Sequence, residues 1–342
     1  MSHDPNSLLP LEALLKRVSR ERNHFPERNE NYFNRYVGIK RWLTDNYYRF
    51  IGAGLSTDGG IYSDHGPDHF DEVIRFAGLL VGPENLRNKG RLLNPYELYV
   101  LLLAILLHDA GNLFGRASHE KLPYSILVEM GELSGSDNTE KKAIAKVAEA
   151  HGGVSTQGDK DTIFPLEEKV SQGTASFRPR ILAALLRFAD EICESRTRAA
   201  ATLINRDQLP TKSEAYHIYA QSIKSVEINR ESKSVHLKFV IPVEYILRTW
   251  GKDDKKTYIT DEIFHRLEKM NLERNYCNRF MYPVVTIERI DAIVEIVNEE
   301  FDTQEKHAIR LGDTGYPSKV VSLSKEYPDL CGKSLVKKYK RK

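Results

Sequence analysis

The sequence predicts a mainly α protein, with a helical bundle followed by a smaller C-terminal α+β unit. Before about residue 205, apolar residues recur at helical spacing in successive segments. After about residue 210, apolar and polar residues alternate on both sides of "NRESKS", which is typical of a β-hairpin. We therefore expect a helical domain at residues 1–205, an α+β unit at 206–305 and a C-terminal extension at 306–342.

Helical periodicity locates the helices of the first domain. They are predicted at residues 8–22, 32–51, 69–80, 94–108, 124–133, 139–151 and 179–198. The helix at 94–108 has a recognisable start, because Asn94 can cap it, Pro95 lies in its first turn and Glu97 follows the cap by three residues. The polar segment 152–178 is predicted to be a long loop.

The second unit is predicted to have the order β-β-α-β. A hairpin around "NRESKS" is followed by a helix at residues 261–279. The segment "ERIDAIVEIV" fits either a strand or a short helix, because its apolar run is too short for the periodicity to decide.

Composition excludes several classes of protein. The longest apolar run, "LYVLLLAILL", has about half of the roughly 20 residues that a membrane span needs. The N-terminus lacks the basic and apolar regions of a signal peptide. The three cysteines form no CxxC pair, so we expect a cytoplasmic protein with reduced thiols that does not contact a membrane.

The charge of the chain is nearly balanced, with a net value of +2. The exception is the C-terminus, "KSLVKKYKRK", in which six of ten residues are Lys or Arg. This basic tail is either a disordered, solvated end or a contact for nucleic acid or another polyanion.

The stretch "LLLAILLHDAGN", residues 101–112, places an ionisable pair, His108 and Asp109, directly after seven aliphatic residues. Burying an unpaired charge costs several kcal/mol or more, which is comparable with the net free energy of unfolding of a whole domain. Adjacent helical residues lie about 100° apart, so both side chains can address one point at the helix end. A metal ion bound by imidazole and carboxylate suits that geometry, although the dipeptide also occurs by chance.

Other histidines and acids lie near predicted helix ends. His69 follows His65 by four residues in "DHGPDHFDEV", and Asp190 lies in the apolar segment "ILAALLRFADEICES". His119 and His151 fall beside predicted helix termini. Each also has an ordinary structural explanation: a solvated turn, a surface ion pair with Arg187 or Arg196, or a helix cap.

The order of these residues resembles the ligand pattern of the HD superfamily of metal-dependent phosphohydrolases. The segments "HFDEV", "LLLAILLHDAGN" and "LLRFADEIC" are similar to its three helical motifs, over roughly residues 60 to 200. The resemblance implies that His69, His108, Asp109 and Asp190 are metal ligands. A looser resemblance is to the HD branch of bacterial conflict systems, which implies a role in antiviral defence.

Dinuclear members of the superfamily have two further histidines between the His-Asp pair and the closing Asp. By resemblance, His119 in "GRASHE" and His151 hold a second ion, with Asp109 bridging the two. The chain departs from some dinuclear members at Gly152, where they have a second consecutive histidine. Mixed nitrogen and oxygen ligands suit Mn²⁺, Mg²⁺, Fe²⁺ or Zn²⁺, and the sequence does not choose among them.

The implied activity is hydrolysis of a phosphoester of a nucleotide or cyclic nucleotide by metal-activated water. Asp109 can orient the water, and His65 can protonate the leaving group or hold a phosphate oxygen. Arg116 and Lys121 are candidate phosphate-binding cations, or else plain surface charges. A closed nucleotide pocket would use residues 152–178 as a lid. The alternatives are a nuclease acting on single-stranded nucleic acid and a non-catalytic nucleotide-sensing module.

Overall fold

The structure is a computed structural model of the chain. It describes residues 8–52, 67–82, 92–115, 117–155, 157–312 and 322–340. The described residues form two compact units. One contains the residues up to Asp190 together with Cys277–Thr286, and the other contains Glu191–Tyr276 and the residues from Ile287 onward.

The first unit is mainly helical, as the sequence predicts. Its α-helices are α1 (Pro10–Val18), α2 (Tyr32–Leu43), α3 (Arg49–Gly52), α4 (Pro67–Val81), α5 (Pro95–Leu107), α6 (Pro123–Glu129), α7 (Asn138–Glu149) and α8 (Pro179–Glu191). A π-helical turn, Thr44–Tyr48, joins α2 to α3. Short 3₁₀ turns are found at Arg22–His24, Ala110–Phe114, His119–Lys121 and Gly131–Ser134.

Helix α5 is buried over its whole length. Its start has the predicted capping box, in which the Asn94 side chain accepts from the Glu97 N–H and the Glu97 carboxylate accepts from the Asn94 N–H. Within the described residues, Pro95–Phe114 is long and apolar enough to cross a membrane, but 89% of its most apolar window is buried. That burial identifies α5 as a core helix, whose C-terminal end is fixed by packing on every side.

Two predicted elements of this unit differ from the structure. Helix α8 ends at Glu191 and not at Arg198, because the chain leaves the helix and Ser195 caps a separate 3₁₀ turn, Arg196–Arg198. The segment 152–178 is not wholly loop, since it contains an antiparallel hairpin of β1 (Val170–Gln172) and β2 (Ala175–Phe177).

The second unit combines short helices with strands. Its strands are β3 (Ile223–Asn229), β4 (Ser234–Pro242), β5 (Trp250–Lys252), β6 (Lys255–Thr257), β7 (Arg289–Val297) and β8 (Thr303–Gly312). Its helices are α9 (Ala201–Asn205), α10 (Glu214–Ser222), α11 (Val243–Ile246), α12 (Ile259–Met281), α13 (Leu323–Glu326) and α14 (Gly332–Tyr339). Further 3₁₀ turns lie at Thr211–Ser213 and Pro328–Leu330.

A four-stranded sheet of order β3-β4-β7-β8 organises this unit. The predicted hairpin is confirmed as the antiparallel pair β3–β4, and "ERIDAIVEIV" is the strand β7, parallel to β4. The predicted order β-β-α-β is incomplete, because the hairpin β5–β6 precedes α12 and β8 pairs antiparallel with β7. Strand β8 crosses residue 305, where the predicted unit ends; the domain limits stay a prediction.

The two faces of the sheet differ in polarity. Alternate residues of β4 and β7 are fully buried, among them Leu237, Phe239 and Val294. The residues between them, such as Lys238 and Asp291, are only half-buried. We call the half-buried side, with its charged residues, the outer face.

The basic C-terminus is not a disordered tail as far as residue 340. Residues 332–339 form helix α14, in which Leu335 is fully buried. The Lys338 ammonium lies 2.7 Å from a carboxylate oxygen of Glu305, so one cation of the tail is already paired within the protein. Contact of the tail with a polyanion stays a prediction.

Candidate metal centre

Six side chains predicted as ligands come from the ends of helices and turns of the first unit. Because each lies at or near the end of an element, its backbone is fixed by a packed helix while its side chain points to a common region. They are His69 in the first turn of α4, His108 and Asp109 after α5, His119 in a 3₁₀ turn, His151 after α7, and Asp190 at the end of α8.

One group of ligand atoms surrounds Oδ2 of Asp109. The Nε2 atoms of His69 and His108 lie 3.4 Å and 3.5 Å from that oxygen. The same two nitrogens lie 3.2 Å and 3.7 Å from Oδ1 of Asp190. The two imidazoles and two carboxylates therefore converge on one small volume, and His69 and His108 are almost completely buried.

A second group surrounds the other oxygen of the same carboxylate. The Nε2 atoms of His119 and His151 lie 3.3 Å and 3.8 Å from Oδ1 of Asp109. Asp109 thus presents one oxygen to each histidine pair. The two groups share only Asp109, so one carboxylate contributes to both.

The spacing of these atoms fits divalent cations. Within each group that contains Asp109 and two histidines, the ligand atoms lie within 4.8 Å of one another. Ligands about 2.0–2.2 Å from a common ion are separated by roughly 3 to 4 Å. The observed separations of 3.2 to 3.8 Å fall in that range. The clustered residues can therefore bind a divalent metal, with both nitrogen and oxygen donors.

Backbone carbonyls fix the tautomers of two histidines. The Nδ1 atoms of His108 and His151 lie 2.7 Å and 2.6 Å from the carbonyl oxygens of Ile105 and Ala148. An Nδ1–H that donates to a carbonyl leaves the lone pair on Nε2, which is the atom aimed at Asp109. Among the described residues, Nε2 of His108 is buried without a hydrogen-bond partner, as expected for an atom reserved for a metal.

The protonation states follow from burial and from the neighbouring charges. Burial, reinforced by His108, lowers the pKa of His151 to about 4, so this imidazole is neutral near pH 7. Burial would raise the pKa of Asp190, but the neighbouring imidazoles of His108 and His69 hold that pKa well below its usual range. Burial would lower the pKa of His108, but Asp109 and Asp190 raise it above the ordinary histidine value.

Sequence reasoning missed Tyr48 as a support for the site. Its hydroxyl donates to the carbonyl oxygen of Leu106 at 2.8 Å, one turn from the His-Asp pair. Its ring packs edge-on against Phe70, the neighbour of His69, with the ring centroids 4.8 Å apart. Tyr48 therefore connects the two helices that supply the first ligand group, and only its place in the folded chain reveals this.

A second support connects α8 to the region of His151. The Arg187 guanidinium donates to Thr162 Oγ1 at 2.8 Å and to the Lys160 carbonyl at 3.1 Å. Thr162 Oγ1 in turn donates to the carbonyl of Ala150 at 2.7 Å. The sequence allows Arg187 as an ion-pair partner of Asp190; the contacts that the structure shows connect Arg187 to the segment after His151.

Glu120 also supports the site. Its Oε2 atom lies 3.6 Å from Nδ1 of His119, the nitrogen on the far side of the ring from Asp109. A carboxylate in that position orients the imidazole and increases its basicity. Gly153 leaves room for the Glu120 side chain, because a β-carbon there would lie 2.7 Å from a carboxylate oxygen. The signal in the sequence was the dipeptide His119-Glu120, of which only the histidine was used.

The remaining predicted residues lie elsewhere or outside the described part of the chain. Lys121 is exposed at the end of the 3₁₀ turn that begins with His119, so it lies near the second ligand group along the chain. His65 and Arg116 lie outside the described residues. Gly152, where some dinuclear relatives have a histidine, has no neighbouring atom within 4 Å of the position of a β-carbon.

A helical unit in which His, His-Asp and Asp converge from separate helices defines an HD-type domain with a His/Asp cluster that fits a metal site. A family model described as HD-CE matches residues 60–269, and the chain belongs to the HD-CE family. The family and the cluster together indicate an HD-type hydrolase. Searches of curated proteins and of solved structures gave no match.

Proposed function

We propose that the protein is a metal-dependent phosphohydrolase that cleaves a phosphoester of a nucleotide or cyclic nucleotide. The observation that supports this best is the division of Asp109, whose Oδ2 faces His69 and His108 while its Oδ1 faces His119 and His151. A carboxylate placed in this way can hold two divalent ions close together, and we propose two ions per chain, drawn from Mn²⁺, Mg²⁺, Fe²⁺ and Zn²⁺.

Divalent ions at such a centre supply a nucleophilic water near neutral pH and withdraw charge from the phosphoryl oxygens. The protein contributes the positioning. Asp109 orients the attacking water from its fixed position after the buried helix α5. The hydrogen bonds from Nδ1 of His108 and His151 to backbone carbonyls keep both rings from turning away.

The substrate must also be held, and three residues are proposed for this from the sequence. Lys121 is exposed close to His119 along the chain and would bind a phosphate oxygen. Arg116 would do the same from the preceding turn. His65 would protonate the leaving group or hold a phosphate oxygen. No Ser or Cys nucleophile is required, because water attacks phosphorus directly.

An exposed aromatic side chain favours a substrate with a planar ring. Phe114 is 60% exposed at the end of the 3₁₀ turn that begins next to Asp109. Its ring lies edge-on to Tyr47, with the ring centroids 6.0 Å apart, and the Tyr47 hydroxyl donates to Glu129. A ring held in one orientation by a buried neighbour, in the turn after Asp109, can stack on a nucleobase.

The free thiols are compatible with the cytoplasmic location that we propose. No disulfide joins the three cysteines, all of which lie in the described part of the chain. We propose no contact with a membrane, and the charged helix α14 is the proposed contact for a polyanion.

The test is hydrolysis by the purified full chain with Mn²⁺ of nucleoside triphosphates, cyclic nucleotides and single-stranded DNA. We expect release of product from a nucleotide and its loss, by at least about a thousand-fold, in Asp109→Ala. Asp45→Ala is the matched control, because Asp45 is an exposed acid of the same unit whose ion pair is with exposed Arg41, four residues earlier. Unchanged hydrolysis in Asp109→Ala would refute the assignment.

The same panel separates the alternatives. Cleavage of single-stranded DNA in preference to nucleotides would identify a nuclease. Deletion of residues 333–342 should then weaken DNA cleavage in a salt-dependent way. Binding of a nucleotide without any turnover, in the presence of each of the four metals, would identify a sensing module.

A further inference from the structure

The outer face of the sheet in the second unit contains a half-open cavity of about 600 Å³. This volume is in the range of small-molecule sites. The residues that line it come from all four strands and from Tyr327, and they all belong to the second unit. None of them is a predicted ligand of the metal centre.

The strand register explains why the face is hollow here. One row across the sheet consists of Ser225, Lys238, Ile293 and Ala308, which are aligned by the pairing of the strands. Ser225 and Ala308 at the two ends of this row are small. Long side chains border the row, so a depression forms whose floor is Ile293 and Ala308.

The adjacent row is charged. Glu227, His236, Asp291 and Arg310 are aligned across the four strands in that order. Arg310 donates through Nε to Asp291 at 2.7 Å, which leaves its terminal nitrogens available, and its side chain is 72% exposed. The Glu227 side chain is exposed and has no ion pair with a described residue. One edge of the cavity therefore offers the two terminal nitrogens of Arg310 and the unpaired carboxylate of Glu227.

The cations along the outer face are held in place by carboxylates. Asp291 accepts from both Arg289 and Arg310, and Glu295 pairs with both Lys238 and Lys306. Two cations around one carboxylate leave a positive charge uncompensated at each position. Lys238 uses one of its three ammonium donors on Glu295, at 2.9 Å, so it can still bind an anion.

An aromatic residue forms the wall of the cavity. Tyr327 follows helix α13 and is half-buried beside the apolar floor. A planar ring of a ligand would contact the Tyr327 side chain and the Ile293 and Ala308 side chains together. Stacking of this kind stabilises a bound nucleobase without selecting strongly among bases.

We propose that this cavity is a binding site for a nucleoside monophosphate. The base lies against Tyr327 and the floor, and the phosphate lies between Arg310 and Lys238. Strands β4 and β8 are two strand spacings apart, about 10 Å, which long side chains from both can span. The free carboxylate of Glu227 accepts from the sugar hydroxyls or from an exocyclic amine. The site shares no residue with the candidate metal centre and does not depend on the activity proposed there.

The test is calorimetric titration of the full chain with adenosine monophosphate in the presence of a chelator, so that no divalent ion occupies the metal centre. We expect a dissociation constant in the micromolar to low millimolar range, on the order of −4 to −8 kcal/mol. Adenosine, ribose 5-phosphate and inorganic phosphate should each bind at least ten-fold more weakly, because each lacks one of the two recognised groups.

Two variants and one control locate the site. Ala308→Trp fills the depression from an exposed position, and it should abolish binding without unfolding the sheet. Arg310→Ala should weaken the binding of adenosine monophosphate at least ten-fold and leave the affinity for adenosine unchanged. Lys224→Ala removes an exposed cation of strand β3 that does not line the cavity, and it should have little effect.

Absence of binding to the wild-type chain would overturn the proposal. Binding that Ala308→Trp does not reduce, or that Asp109→Ala abolishes, would place the ligand elsewhere and would overturn it as well. Equal binding of inorganic phosphate and adenosine monophosphate would show a plain anion site, without the stacking that the proposal requires.

Discussion

Gly111 and His119 approach so closely that a β-carbon on Gly111 would overlap the carbonyl oxygen of His119. Gly111 follows the His-Asp pair by two residues, and His119 belongs to the second ligand group. The close approach of the two turns therefore sets the distance between Asp109 and His119. A glycine that is predicted from the sequence to end a helix is, in the folded chain, a spacer between two parts of the candidate metal centre.

Substitution of Gly111 should selectively weaken the binding of the ion that His119 and His151 are predicted to hold. In Gly111→Ala the turn with His119 must move away from Asp109, and displaced supporting groups typically cost 10- to 100-fold in metal affinity. Titration with Mn²⁺ should show one of two binding steps weakened by about that factor. Gly152→Ala is the matched control, since nothing lies within 4 Å of its added β-carbon. Equal affinities in the two variants would contradict the spacer role.

The two carboxylate oxygens of Asp109 face different histidine pairs, which predicts two ions that can be removed independently. Protein purified without chelators should contain close to two metal ions per chain, because each carboxylate oxygen has its own imidazole partners. His151→Ala should retain one ion, and Asp109→Ala should lose both. Elemental analysis measures this directly. A single ion that is unaffected by His151→Ala would exclude the dinuclear centre.

Two hydrogen bonds of the Thr162 hydroxyl should stabilise the segment that follows His151. Thr162→Val keeps the shape of the side chain but leaves the Ala150 carbonyl and one Arg187 donor without this partner. The cost should be about 1–3 kcal/mol of stability. Hydrogen exchange should quicken at residues 150–162, while the helix α5 remains protected. Thr139→Val, an exposed threonine of the same unit, serves as the control.

The sequence predicted those features of the fold and of the candidate centre that depend on local pattern. The capping box of α5, the β3–β4 hairpin and the position of His108 and Asp109 at a buried helix end all follow from residues close together in the chain. The order of the histidines and acids along the chain, which resembles the HD pattern, added the other histidines and Asp190 to the predicted ligands. By contrast, the contacts of Tyr48 with Leu106, and of Thr162 with Ala150, join residues that only tertiary packing brings together. Strand β8 was not predicted, because most of its side chains are exposed and polar. In the sequence, most of β8 therefore falls within the predicted C-terminal extension.

The exposed ring of Phe114 should affect the affinity for nucleotides more than the rate of hydrolysis. Phe114→Ala should raise KM for a nucleotide about ten-fold or more, since a stacked base contributes on the order of 1–3 kcal/mol. The value for ribose 5-phosphate, which has no base, should not change, and Phe114→Tyr should restore nucleotide affinity. Phe301→Ala removes a still more exposed ring, in the second unit, and should be neutral. If both substrates respond alike to Phe114→Ala, the ring does not contact the base.

The docking of helix α14 should depend on pH through Glu305. Burial would raise the pKa of this carboxyl, but hydrogen bonds from Lys338, Tyr339 and His307 lower it from the usual value to about 2. A carboxyl with a lowered pKa stabilises the folded state above its ordinary pKa of about 4.3. That contribution is lost as the pH falls from there toward 2.

Hydrogen exchange of residues 332–340 should therefore quicken between about pH 4 and pH 2, ahead of the strand β7. Glu305→Gln removes the charge that Lys338 contacts at 2.7 Å, so exchange there should already be faster at pH 7 and should vary less with acid. Lys333→Gln is the control, because it changes the charge of the same helix without touching Glu305. An unchanged pH dependence in Glu305→Gln would mean that Leu335 alone holds the helix, through its buried apolar contacts.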